Sequence, residues 1–235
     1  MKIKIANKIK MTNKTNVFIA GASRGVGREI ALRAIEKNCR VKALLRSKES
    51  RSQLETIGID VVMGDALDIV AVEAAMQESK PIEAVISTIG GLPKDGRRAD
   101  YLGNKNLIDA AVKAKVSKFI LISSIGSGES AIALPPQALE ALAAVLAEKE
   151  KAEHHLINSG LTYTIIRPGG LKSEPPTGNG ILTENYRVSG TINRAEVAQL
   201  ACKCLFSDAA NNKILSAIDR NMMYGQEEIE ELLMD

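Results

Sequence analysis

NVFIAGASRGVGREIALRAIEKN, residues 16–38, reads as a short strand, a glycine turn and a helix. NVFIA (16–20) is a brief apolar run that stops at glycine, the pattern of a strand buried on both faces. REIALRAIEKN (28–38) is a helical segment. Between them GASRGVG supplies Gly21, Gly25 and Gly27. Gly21 allows a sharp turn, Gly25 a close backbone approach to a pyrophosphate, and Gly27 close packing of helix on sheet. The helix start then offers free N–H groups and a positive dipole end to an anion. A plain strand-to-helix connection would need a similar turn, so the meaning of the glycines depends on what surrounds them.

What surrounds them is an alternation. CRVKALLR (39–46), IDVVMGD (59–65), EAVISTIGG (83–91), KFILISS (118–124) and LTYTIIRPGG (161–170) read as further buried strands, and KILSAI (213–218) as a late one. Helical patterns separate or follow them at 69–79, 99–115, 137–159 and 194–206, with a last one expected at 225–235. This order specifies an α/β, doubly wound, mostly parallel Rossmann-like sheet in one domain, residues 15–235. The poorly patterned segments, 126–136 and 171–192, are expected to form a small mobile lid; LKSEPPTGNG has loop chemistry.

Composition excludes several classes. The chain has 235 residues, enough for one full core. No apolar run approaches the roughly 18–20 residues of a membrane span. Net charge is +3, but Lys2, Lys4, Lys8, Lys10 and Lys14 all precede the first strand, leaving −2 for the body. A nucleic-acid partner is therefore not expected. The basic residues 1–14 are read as a disordered extension, with Met11 a candidate first residue. Three cysteines, Cys39, Cys202 and Cys204, point to a reducing compartment and a cytoplasmic location. Cys202 and Cys204 face different ways on a helix, and adjacent His154 and His155 lack a second ligand pair, so no metal site is expected. Oligomeric state is not legible in the pattern, which is compatible with a monomer.

Several stretches carry a resemblance. GASRGVG, GDALD (64–68), STIGG (87–91), LISS (121–124) and IIRPGG (165–170) resemble, in order, the cofactor-binding segments of the short-chain dehydrogenase/reductase superfamily. The likeness runs from about residue 15 to 220. It implies cofactor contacts at Gly21, Ala22, Ser23, Arg24, Gly25, Val26 and Gly27. Further contacts are implied at Asp65, Ala66, Thr88, Ile89, Gly90, Ser123, Pro168, Gly169 and Gly170. Where binders of NAD usually place an acid after the second strand, this chain has Arg46, with Ser23 and Arg24 nearby. A guanidinium matches a 2′-phosphate, so NADPH is the expected cofactor.

Tyr101 and Lys105, in YLGNK, have the spacing of the superfamily's catalytic pair but lie one helix too early. The expected helix is 137–159, where Lys149, Glu153 and Leu156 match and the tyrosine slot holds Val145. Lys149 is expected at the cofactor ribose, or else as one charge on the KEKAE face. Arg167 is read as a brace of the fold. Without a tyrosine acid, reduction of a ketone loses its proton donor, whereas a conjugated acceptor delocalises the incoming charge. The chain accordingly resembles the atypical, NmrA-like branch and its biliverdin-IXβ reductase/flavin reductase group. That resemblance implies an NADPH-dependent oxidoreductase acting on a flavin such as FMN or a linear tetrapyrrole, with Ser124 beside the nicotinamide as the catalytic group. The alternative is a non-catalytic NADP(H) sensor or assembly scaffold. A sugar-nucleotide epimerase would need a larger C-terminal domain than the roughly 65 residues after the sixth strand.

Overall fold

β1 (Asn16–Ala20) occupies the middle of an eight-stranded sheet in the computed structural model, which describes residues 14–77, 81–90 and 98–234. Val17, Phe18, Ile19 and Ala20 are all buried, as a strand covered on both faces requires. β2 (Arg40–Leu45) and β3 (Asp60–Met63) extend the sheet to one side. β4 (Ala84–Ser87), β5 (Lys118–Ile122), β6 (Thr162–Pro168) and β10 (Lys213–Asp219) extend it to the other, all parallel. β8 (Gly180–Thr183) closes that edge antiparallel to β10. The chain reverses direction of growth between β1 and β4. In open α/β sheets, the carboxyl ends of the strands at such a switch leave a crevice.

Alternate residues of β1 feed different cores. Val17 and Ile19 join Ile30, Val197, Ala201 and Cys202 beneath α1 (Gly25–Glu36) and α6 (Arg194–Phe206). Phe18 and Ala20 join Leu107, Phe119 and Leu156 beneath α3 (Ile69–Met76), α4 (Leu102–Lys113) and α5 (Pro136–Ile157). This period of two is the pleat of a strand buried on both faces. α2 (Arg51–Thr56), unmarked in the sequence reading, buries Leu54 and carries an Arg51–Glu55 ion pair at 2.8 Å.

The segment 171–192 is more ordered than its loop-like composition implied. β7 (Gly170–Lys172) pairs with β9 (Ser189–Asn193), which pairs with β11 (Met223–Tyr224) in a small second sheet. The buried Glu196 carboxylate accepts backbone N–H groups from Gly178 (2.9 Å), Asn179 (3.2 Å) and Gly180 (3.2 Å). Long-range pairing, invisible in local composition, makes this order.

The helix expected at 225–235 does not form among the described residues to 234. The segment lies beside edge strand β8: Leu232 N–H donates to the Leu182 carbonyl at 2.7 Å, and Leu232 and Met234 pack on the core. An open sheet edge offers unpaired backbone. A helix would also set Glu227 against Glu230 and Glu231 at repelling spacings. The basic extension and Met11 lie outside the described residues, apart from Lys14.

All three cysteines are free and buried. Burial pushes the Cys202 thiol up to about 11 and the Cys204 thiol up to about 12. Both should therefore resist thiol reagents at pH 8 until the chain unfolds. The unfolded chain ionises its thiols above pH 9.0, while the folded chain keeps them protonated. Stability should then fall as pH rises from about 9 towards 11–12. Thiol titration with and without denaturant, and urea melts from pH 8 to 11, measure both effects. Full labelling of the native protein at pH 8 would contradict this account.

Candidate functional site

The turn after β1 is built with almost no spare room. Gly21 has φ +96°, and a Cβ on it would stand 2.4 Å from Thr88 Oγ1. A Cβ on Gly27 would stand 2.2 Å from the Gly21 carbonyl oxygen. The Thr88 hydroxyl lies 3.2 Å from the Ala20 carbonyl and 3.3 Å from that of Gly21, pinning the turn to β4. Arg24 precedes α1 in extended conformation, no side chain caps the helix, and its first turn has no acid. The first N–H groups and the positive end of α1 are thus left for an external anion. A glycine turn and a helix end without its own counter-charge fit the phosphates of a dinucleotide.

The turn opens on a cleft of about 780 Å³ at the switch point. Of the residues expected at the cofactor or the nicotinamide, all line it except Ala22. Ala22 is fully buried and its methyl packs in the core under α1. At the turn stand Gly21, Ser23, Arg24, Gly25, Val26 and Gly27. At the end of β2 stands exposed Arg46, joined by Ser47, Glu49 and Ser50, which the sequence reading had not named. Ser50 Oγ donates to the Ser23 carbonyl at 3.4 Å, tying this rim to the turn.

Asp65 and Ala66 follow β3, and Thr88, Ile89 and Gly90 follow β4. The Asp65 carboxylate accepts from Leu67 N–H at 2.9 Å and shapes its own loop. Asn106 holds that loop from α4 by donating to the Ala66 carbonyl at 2.9 Å. A Cβ on Gly103 would stand 2.8 Å from Ile89, so glycine lets α4 close beneath both segments.

At the far end Ser123, Ser124, Pro168, Gly169 and Gly170 converge. Ser124 is half-buried and its Oγ donates to the Ile125 carbonyl at 2.9 Å, leaving oxygen lone pairs available. The Ser123 hydroxyl donates to the Glu153 carboxylate. Arg167 reaches the same carboxylate through Nε (3.2 Å) and Nη2 (2.6 Å), with both residues buried. The brace read for Arg167 is therefore a buried network joining β5, β6 and α5. Lys149 enters the cleft with its Nζ 3.5 Å from Asp100 Oδ1, so it is not one of the solvated charges of KEKAE.

Tyr101 and Lys105 stay outside the cleft. Lys105 pairs with Asp109 at 2.6 Å, and Tyr101 packs on the second core with Lys151 over its ring. Burial opposes the Asp109 charge, but hydrogen bonds from Lys105 and His155 outweigh it and hold its pKa below the usual range. Val145 is half-buried and does not reach the cleft. Among the described residues no tyrosine lines it.

Arg194 was missed as a site residue. Its sequence signal, a basic residue opening the helix after 193, reads only as a helix start. The structure brings it across the turn to the cleft wall.

Comparison with known proteins agrees with this geometry. A family model described as NAD(P)H-binding matches residues 21–208. ChuY of Escherichia coli O157:H7, described as an anaerobillin reductase, superposes with a TM-score of 0.81 at 33% identity, covering 90% of this chain and 100% of ChuY. Sanguinarine reductase of Eschscholzia californica is 27% identical, over 86% of this chain and 88% of that one. The chloroplastic protein TIC 62 of rice is 34% identical over 86% of this chain, which spans only 46% of that longer relative. With the glycine cradle, the uncapped helix and the switch-point cleft in one place, this chain belongs to the NAD(P)H-binding family of Rossmann-like proteins.

Proposed function

We propose that this protein is an NADPH-dependent reductase that delivers hydride to a flat conjugated acceptor, a linear tetrapyrrole or a flavin such as FMN. The observation that carries the reading is a cleft lined by the glycine turn and the uncapped start of α1, with Ser124 at its far end and no tyrosine hydroxyl in its described lining. Bound there, the dinucleotide supplies the hydride. The chain holds the phosphates at Gly21–Gly27, the ribose near Lys149 and the nicotinamide end beside Pro168–Gly170. Ser124 orients the acceptor by hydrogen bonding. An acceptor whose π-system spreads the incoming charge does not need a strong acid at that position. The full-length likeness to ChuY supports a tetrapyrrole. Three free cysteines support a reducing compartment such as the cytoplasm.

NADPH consumption with biliverdin and with FMN tests the reading. Turnover with at least one is expected, and Ser124→Ala should lower its rate while NADPH affinity holds. No turnover with either acceptor would overturn it. Arg46→Asp tests cofactor choice: it exchanges attraction to a 2′-phosphate for repulsion. A charged hydrogen bond contributes about 1.5–3 kcal/mol, roughly 10–100-fold in Kd. NADPH should weaken by that factor while NADH changes little; equal weakening of both would remove Arg46 from the 2′-phosphate site.

A second reading is a dinucleotide-binding sensor or assembly scaffold. Val145 in the tyrosine slot and the likeness to TIC 62 favour it. NADPH binding without reductase turnover, together with a stoichiometric protein partner, would select it.

A further inference from the structure

Arg194 is the first residue of α6, which packs on α1, and its side chain lies beside Gly25, the first residue of α1. Its Nη1 donates to the Leu171 carbonyl at 3.2 Å and to Ser173 Oγ at 2.7 Å. On its other side, Nε and Cδ are the atoms nearest to where a Gly25 side chain would stand, at 3.7 and 3.8 Å. One guanidinium thus spans from the glycine turn to the segment leaving β7. Two residues later, Glu196 grips the far end of that segment at Gly178–Gly180. The start of α6 is a clamp on the loop 171–180, and only its Arg194 jaw faces the cleft.

We infer that Arg194 is a positioning residue for the dinucleotide pyrophosphate and links its arrival to closure of loop 171–180. This rests on the NAD(P)H reading above. Arginine has five donors in a planar fork. With Nη1 engaged on the loop, the Nε edge beside Gly25 remains to meet the anion that the uncapped end of α1 attracts. An anion there fixes the guanidinium, and the guanidinium fixes Leu171 and Ser173. Phosphate at one end and loop order at the other are then one equilibrium, so cofactor bound first strengthens the wall against which an acceptor rests.

The test uses the full chain, isothermal titration with NADPH and NADH, and hydrogen exchange of the amides in 171–180. In the native protein either dinucleotide should bind and slow exchange in that loop. Arg194→Ala should weaken NADPH and NADH alike by about 10–100-fold, because the pyrophosphate is common to both. This separates it from Arg46→Asp. It should also lose the slowing of exchange at saturating dinucleotide. Arg194→Lys should recover most of the affinity but not the slowing, since a single ammonium does not hold both ends as a fork does. Ser173→Ala cuts the loop end only: affinity should stay within about twofold while the slowing diminishes. Native affinity and slowing in both Arg194 variants would overturn the inference, as would undiminished slowing in Ser173→Ala. Native protein that binds neither dinucleotide would overturn the NAD(P)H reading itself.

Discussion

Gly27→Ala should abolish measurable dinucleotide binding and lower the melting temperature. In most helices this exchange stabilises by about 1 kcal/mol, because alanine is the better helix former. Here sterics reverse the sign. The new methyl would stand 2.2 Å from the Gly21 carbonyl oxygen and 2.5 Å from Thr88 Oγ1. Neither neighbour can yield easily, since the Thr88 hydroxyl ties the turn to β4 through the Ala20 and Gly21 carbonyls. Relief requires α1 to lift from β1, at an overpacking cost of about 1–3 kcal/mol. Lifting also moves the helix start away from the pyrophosphate position, so affinity should fall by more than about 100-fold, beyond the loss of one charged hydrogen bond. Melting curves with and without NADPH measure both consequences. A variant with native affinity would show that the close approach of α1 is not what forms the cradle.

Glu153→Ala should be the most destabilising single exchange near the cleft. It removes the carboxylate that neutralises Arg167, 4% exposed, and that accepts the Ser123 hydroxyl. Breaking a buried pair from one side costs about 3–5 kcal/mol, since the remaining charge is stranded. At this chain length that corresponds to about 6–20 °C in melting temperature. The double exchange Glu153→Met with Arg167→Met should recover much of the loss, because burying the pair was itself costly. The comparison distinguishes a stranded charge from lost packing: equal destabilisation of single and double variants would favour packing. Restored stability without restored turnover would show that the network also positions Ser123 and Ser124 at the end of β5.

The alternation of apolar runs with helical patterns was enough for the doubly wound sheet, and GASRGVG for the place of the cleft. Both are local properties: a strand buried on both faces must be apolar throughout, and a turn with φ +96° at Gly21 requires glycine wherever it occurs. For the same reason the decoy YLGNK could be rejected from element order alone. The errors have one origin. The terminal segment 225–234 has a helical apolar period, yet lies against β8 because an open sheet edge offers backbone partners that no local window contains. Segment 171–192 has loop composition, yet its strands pair with partners about 20–40 residues away, β7 with β9, β9 with β11 and β8 with β10.

Side-chain assignment divides along the same line. Residue type at the right element was sufficient for Arg46, Ser124 and Lys149 to reach the cleft wall. It was not sufficient to tell where each hydroxyl donates: both serines line the cleft, but Ser123 donates to the buried Glu153 carboxylate and Ser124 to the neighbouring Ile125 carbonyl. Nor could it find Arg194, which joins the turn only because α6 packs against α1 across about 170 residues of chain. The sequence by itself determined the fold class, the cofactor turn and the missing tyrosine, because periodicity and backbone conformation are written locally. Only the tertiary structure decided which polar groups are already satisfied and which remain for a ligand, because a hydrogen bond depends on distances of a few tenths of an ångström between distant segments.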